Sequence, residues 1–298
     1  MKKGAMKVVF GVAAAAFLAA PLASFAGGTI AGKVTYAGKA EQKEFSFSKF
    51  PNPKFCPKNP NKSLMDGDKR FLKTIEVAKD GGLKGAVVSV VDIEDQAFQD
   101  GFKGTDVTAE FCEFLPFSGV VVNNKNFRTE NKDADPDDPK STLGVLHNPH
   151  SFVVKGSSSA TGFNIGLAKK GDKLEKPVTF RGGAEKLGFY RLQCDQHEFM
   201  QSFFLPVWNP YHAVVKDDGS FELPGVPAGK HKVVVWHPFV GKGKLNEFEV
   251  EVAEGGTANL RRDSSLTEGQ WFTSDHCPFC LCRTMGDLPL HHIRCSGL

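Results

Sequence analysis

An all-β chain is what the sequence predicts, and three observations predict it. Short runs rich in Val, Phe and Thr recur throughout and are punctuated by Gly and Pro, the pattern of strands separated by turns. The run Gly188-Phe-Tyr-Arg-Leu-Gln-Cys194 alternates, with Tyr190, Leu192 and Cys194 on one face of an extended strand and Arg191 and Gln193 on the other. Asp218-Gly219, between two such runs, is hairpin-turn chemistry.

Residues 1–26 read as an export signal. Lys2, Lys3 and Lys7 make a positive start, residues 8–20 are apolar but too short to span a bilayer, and Ser24-Phe25-Ala26 offers small residues where a signal peptidase cuts. The absence of a twin-Arg pair favours Sec-type export. No second apolar run of membrane length follows, so the mature chain is expected to be periplasmic or secreted, with no transmembrane segment. Removing the signal takes three of the 37 Lys and Arg and leaves 34, against 34 Asp and Glu. That balance argues against nucleic acid or an anionic membrane as a partner. The roughly 270 remaining residues suffice for two small β domains.

The elements follow in order. Residues 28–38 read as a strand closed by a Gly turn. Residues 39–80 are polar and irregular, interrupted by Pro51, Pro53, Pro57 and Pro60. Residues 85–93 carry a continuous apolar run, as in a strand covered on both faces, and residues 95–104 read as a connector. Residues 120–122 are a short strand. Residues 124–142, rich in Asn, Lys, Asp and Pro, read as an acidic surface loop. Asp133, Asp135, Asp137 and Asp138 offer oxygens for Ca²⁺ but lack the Gly and terminal Glu of an EF-hand loop, so a solvated loop is expected. Residues 161–166 and 178–180 are further strands. Beyond the alternating run, residues 220–223 and 230–236 are strands on either side of a wide turn.

The chemistry concentrates in residues 188–200. After Cys194, His197 and Met200 follow at even spacing, Cys-x-x-His-x-x-Met. A strand delivers the thiolate rigidly, and the short loop can fold an imidazole and a thioether back towards it. A His₂Cys set with a weak axial Met is the blue-copper set, and Leu146-His147-Asn148-Pro149-His150 supplies the second imidazole. Any one of the three would read as packing or surface. Three ligand types within seven residues do not.

The Tyr-x-Leu-x-Cys-x-x-His-x-x-Met run, with an earlier His-Asn, resembles the cupredoxins of plastocyanin and amicyanin type, and the two-residue gaps around His197 are most similar to amicyanin. This resemblance covers about a third of the chain. It implies a Greek-key β-sandwich over residues 105–207 and one type 1 copper held by His147, Cys194, His197 and Met200. Asn148 would tie the two ligand loops together. His150 is the alternative imidazole, and the His-Asn order favours His147. The resemblance further implies that His197 reaches the surface with one ring edge. Phe199, Phe203 and Phe204 then make a candidate docking patch, since adjacent strand residues face opposite ways.

Residues 217–237, with 30–38 and 85–88, resemble the carboxypeptidase regulatory-like (transthyretin-like) β-sandwich module. By that resemblance residues 27–104 and 208–262 belong to one module, with the copper domain inserted between its strands. Cys56 and Cys112, left over in an exported body, are expected to form a disulfide. Residues 263–298 hold Cys277, Cys280, Cys282 and Cys295 with His276, His291 and His292. These are zinc-site ingredients, but the break in composition favours an unstructured tail.

The function expected is transfer of single electrons between redox partners, such as a c-type cytochrome, without enzymatic turnover. No His-x-His pair is present for a second copper centre, which argues against an oxidase or reductase. The alternatives are a copper-handling protein without electron transfer and a cell-surface β-sandwich binding module.

Overall fold

Two β-sandwiches and a small cap build the computed structural model, which describes residues 27–38, 42–72, 74–181, 188–261 and 272–273. The export signal expected at residues 1–26 and the Cys/His set of the tail lie outside them. In chain order come β1 (Gly28–Lys33), β2 (Lys43–Ser46), β3 (Met65–Asp66), β4 (Lys69–Leu72) and β5 (Val87–Val90). A six-residue helix, α1 (Gln96–Gly101), sits in the connector, where the Asp95 carboxylate caps it by accepting from the Phe98 N–H at 2.9 Å. Then follow β6 (Thr105–Glu110), β7 (Glu113–Leu115), β8 (Ser118–Val121), β9 (Asn126–Asn131), β10 (Pro149–Lys155), β11 (Ser158–Asn164), β12 (Lys173–Pro177), β13 (Phe189–Cys194) and β14 (Gln201–Pro206). The last are β15 (His212–Val214), β16 (Ser220–Val226), β17 (Gly229–Trp236), β18 (Asn246–Val252), β19 (Thr257–Arg261) and the two-residue β20 (Phe272–Thr273), antiparallel to β19. The chain is all-β, and among the described residues no helix is long and apolar enough to cross a membrane.

The first sandwich joins strands from early and late in the described residues. β1 pairs antiparallel with β16 and parallel with β19, while β5 lies between β15 and β17 in the facing sheet. Ile30, Val88, Leu223, Val233, Val250 and Leu260 fill the space between. At one turn, the φ of +81° at Gly219 suits glycine, and a Cβ on Gly82 would come within 2.0 Å of the Asp218 carbonyl oxygen. The 217–219 turn can therefore pass directly over residue 82.

The strands from β6 to β14 form the second sandwich. Sheet order is β11-β10-β13-β14-β8 on one side and β12-β9-β6-β7 on the other. Tyr190, Leu192 and Cys194, the inward face of β13, are buried with Phe114, Phe127 and Phe204. The Phe127 ring lies 5.1 Å from both Tyr190 and Phe204, and burying an aromatic of this size contributes roughly 2–3 kcal/mol.

Several expectations are corrected by packing. Residues 39–80 are not simply irregular. β2, β4 and β3 make a three-stranded sheet whose Phe45 and Leu72, with Phe47 and Phe55 of the turns that follow β2, join the core of the second sandwich. Residues 124–142 are not a solvated loop, for β9 occupies their start and Asp133 and Asp135 are buried. The strand expected at 178–180 lies earlier, at β12. The docking patch fails because Phe199, Phe203 and Phe204 are all buried. Phe204 points into the second sandwich. Phe203, on the other face of β14, enters a seam with Val87, Val234 and Trp236 of the first sandwich. A neighbouring sandwich thus covers the face that alternation alone would leave exposed.

Candidate metal centre

Strand register brings the site together. In the β10–β13 ladder Pro149 sits opposite Cys194, which places His147, two residues earlier, beside the end of β13. His147 is pinned by two backbone hydrogen bonds with Leu167, at 3.1 and 2.7 Å. Beyond Cys194 the chain doubles back at once. The Met200 N–H donates to the His197 carbonyl at 2.7 Å, and the Cys194 N–H donates to the Met200 carbonyl at 3.0 Å. This closed loop folds His197 over the strand end and keeps Met200, itself buried, alongside it.

The Cys194 Sγ lies 3.9 Å from the His147 Nδ1 and 3.8 Å from the His197 Nδ1. All three residues are fully buried, and one ligand atom from each falls within 4.8 Å of the others. Burial alone would push the Cys194 thiol up, but hydrogen bonding with His147 and His197 outweighs it and brings the thiol down to about 6. Burial alone would lower His147; the Asp133 carboxylate and Cys194 instead raise it to about 9. The thiolate is the form that binds metal.

Both imidazoles are oriented from behind. The His197 Nε2 is 3.1 Å from the Pro51 carbonyl oxygen. A carbonyl only accepts, so Nε2 carries the proton and a neutral ring turns its Nδ1 lone pair towards Cys194. The His147 Nε2 is 2.8 Å from the Asp133 Oδ2, which holds the Nε2 proton in the same way; because this ring is raised to about 9, its Nδ1 must give up a proton before it can offer a lone pair to a metal. A thiolate, two imidazole lone pairs and an adjacent buried Met form a donor set that fits a soft or borderline metal such as copper.

Asp133 was legible only as a surface acid, yet the chain is shaped around it. Phe111 and Cys112 have φ of +47° and +54°, two successive left-handed residues. Their N–H groups converge on the Asp133 carboxylate at 2.6 and 2.9 Å, a backbone nest for an anion. Buried Asn131 holds the segment in place. Its amide donates to the Val145 and Leu167 carbonyls at 2.8 and 2.9 Å, and its Oδ1 accepts from the Asp133 N–H at 2.9 Å. The signal that could have found Asp133 is the continuing alternation Phe127, Thr129, Asn131, Asp133, all buried. Asp137 and Asp135 pair with Lys58 at 2.7 and 2.8 Å, so no set of carboxylates is directed at Ca²⁺ here.

The remaining expected residues fall as follows. Asn148 does tie the two segments, through its backbone: its N–H points at the Cys194 Sγ at 3.3 Å and its carbonyl accepts from the Asp195 N–H at 3.0 Å. Its buried Oδ1 has no hydrogen-bond partner. His150 is directed elsewhere, to Asp195 at 3.1 Å and Thr161 at 3.1 Å, its ring tilted against Phe152. His197 presents no edge to solvent, because the cap covers it. Phe50 and Phe47 pack edge-on against Phe199 at 5.2 and 5.8 Å, and Pro51 closes over the imidazole.

The cap is held by more than apolar contact. Cys56 and Cys112 form a disulfide with Cα atoms 5.2 Å apart. The Asn52 amide donates to Ser141 at 3.1 Å, and Lys58 reaches Asp135. Peptide mapping of the non-reduced protein is expected to recover the Cys56 and Cys112 peptides joined; free alkylation of both thiols without reductant would contradict the pairing.

No protein-family model and no curated protein sequence matches the chain. Among solved structures, it is similar over limited stretches to copper proteins. A Cu-containing nitrite reductase from Thermus scotoductus SA-01 is 15% identical with a TM-score of 0.26, over 35% of this chain and 22% of that one, so the chain spans about a fifth of its length. A purple cupredoxin from Nitrosopumilus maritimus is 15% identical with a TM-score of 0.25, over 35% of this chain and 99% of that one. The Cu(I) form of an amicyanin mutant is 15% identical with a TM-score of 0.24, over 40% of this chain and 98% of that one.

Proposed function

We propose that the protein is an exported single-copper electron carrier, its type 1 site made by His147, Cys194, His197 and Met200. The observation that carries this reading is the buried Cys194 Sγ facing the Nδ1 atoms of two imidazoles whose Nε2 atoms are already engaged. When bound there, copper would supply a one-electron couple. The chain's own contribution is rigidity: β13 and the Pro149–Cys194 register hold the thiolate, Asp133 and Pro51 hold the two rings, and the cap excludes water. A site whose donors do not move opposes electron transfer least. The first sandwich is read as a transthyretin-like module into which the copper domain is inserted, consistent with the pairing of β1 with β16 and β19 and of β5 with β15 and β17. A c-type cytochrome of the same compartment is the partner proposed.

The test is addition of Cu(II) to the purified protein, followed by mixing with a reduced c-type cytochrome. Intense visible thiolate-to-copper absorption that bleaches on mixing supports the reading. Copper uptake with colour but no exchange favours the second reading, a copper-handling protein, to which the burial of His197 lends support. Met200→Gln is expected to retain copper and lower the reduction potential, because a weak axial ligand tunes the couple more than it holds the ion. Loss of copper in that variant would make the thioether a required ligand.

A further inference from the structure

The cap over His197 is the feature that electron carriage leaves unexplained, since it buries the ring edge closest to the thiolate. Its chemistry is distinctive. Residues 42–72 hold seven Lys and Arg against three Asp and Glu, in a chain that is otherwise nearly balanced. Several of these charges are occupied: Lys43 by Glu198, Lys58 by Asp135 and Asp137, and Lys69 by Glu44, while Arg70 is buried beneath Phe199. Lys49 and Lys54 are exposed and have no carboxylate partner among the described residues. They flank Pro51, which is itself exposed while its carbonyl accepts from His197. Of the acids of this stretch, Glu44 pairs with Lys69, and Asp68 is turned into hydrogen bonds with Ser46 and Ser48.

The turn is fixed in this posture. Asn52 is left-handed with φ of +54°, its carbonyl accepts from the Phe55 and Cys56 N–H groups at 3.0 and 3.1 Å, and the next anchor is the Cys56–Cys112 bridge. One hydrogen bond therefore separates the His197 ring from a surface residue set between two unpaired ammonium groups.

Building on the electron-carrier reading, we propose that the Lys49–Pro51–Lys54 face of the cap is the electron port and that it docks a one-electron carrier with an acidic face. One electron passes between the site and the partner's one-electron centre along His197 Nε2–H···O=C Pro51, with no proton transferred. The lysines steer the acidic partner to the cap, an effect that salt screens.

Hexacyanochromate(III), a paramagnetic trianion, tests the surface by nuclear magnetic resonance without any electron transfer. In both the metal-free and the Cu(I)-loaded full chain, it is expected to broaden the backbone amides of residues 48–54, and Lys49→Glu with Lys54→Glu abolishes the broadening. In the copper-loaded variant, exchange with anionic hexacyanoferrate then falls about tenfold at low salt, exchange with cationic hexaammineruthenium rises, and the visible spectrum is unchanged. Broadening centred on His150, Asp195 and Arg191 would move the port to the exposed side of the Cys194 strand and overturn the proposal. So would unaltered exchange rates in the double variant. Broadening at the cap in a chain that takes up no copper would overturn the electron-carrier reading, and with it the port, while leaving only an anion-binding surface.

Discussion

Cys194→Ser is expected to abolish the visible absorption of the copper-loaded protein completely, while His150→Ala leaves it intact. The thiol stands at the convergence of two imidazoles and is depressed to about 6 by them, so a thiolate is at hand for the metal. A serine hydroxyl in the same buried place does not ionise at neutral pH and offers no sulfur for the charge-transfer band. His150 spends both ring nitrogens on Asp195 and Thr161, away from Cys194. Absorption titrated with Cu(II) across Cys194→Ser, His147→Ala and His150→Ala decides the ligand set, with circular dichroism to confirm folding. Bleaching by His150→Ala with retention in His147→Ala would reverse the choice of imidazole.

The second large effect is at Asp133. This carboxylate accepts from His147 Nε2 and from the Phe111 and Cys112 N–H groups, all in a buried setting. Asp133→Asn keeps the shape but presents one acceptor oxygen and an amide that cannot take the Nε2 proton or the nest N–H groups. Removing such a partner of a ligating histidine lowers metal affinity roughly 10–100-fold, which a competitive chelator titration would read. Asp133→Ala strips the acceptor from three buried donors and is expected to destabilise the metal-free chain by about 3–5 kcal/mol, measurable by urea unfolding. Unchanged affinity in Asp133→Asn would mean that backbone register alone orients His147.

Much of the centre was legible in linear order. Cys194, His197 and Met200 are close in sequence, and the alternation of Tyr190, Leu192 and Cys194 is a local consequence of strand geometry. Both cysteines of the bridge followed from the expectation of an oxidising compartment and from simple counting. Asp133 was not legible as a partner of His147, because in an Asp-rich stretch nothing local distinguishes a buried acid from a solvated one. Its burial arises from β9 running alongside β6 and from the left-handed pair at residues 111 and 112.

The sequence by itself determined the all-β class and the local donor motif, since strand alternation, turn residues and three closely spaced ligand types depend on neighbours within a few positions. The tertiary structure decided what surrounds them. The surface edge of His197 was implied by the family resemblance and the aromatic patch of Phe199, Phe203 and Phe204 by local alternation, and both were erased by elements distant in the chain. Pro51 covers the imidazole from 146 residues away, and β5 and β17 close over Phe203. The physical reason is that a strand's period specifies two faces but not what packs on either. Burial is a property of contacts, and those depend on which distant strands the register brings together.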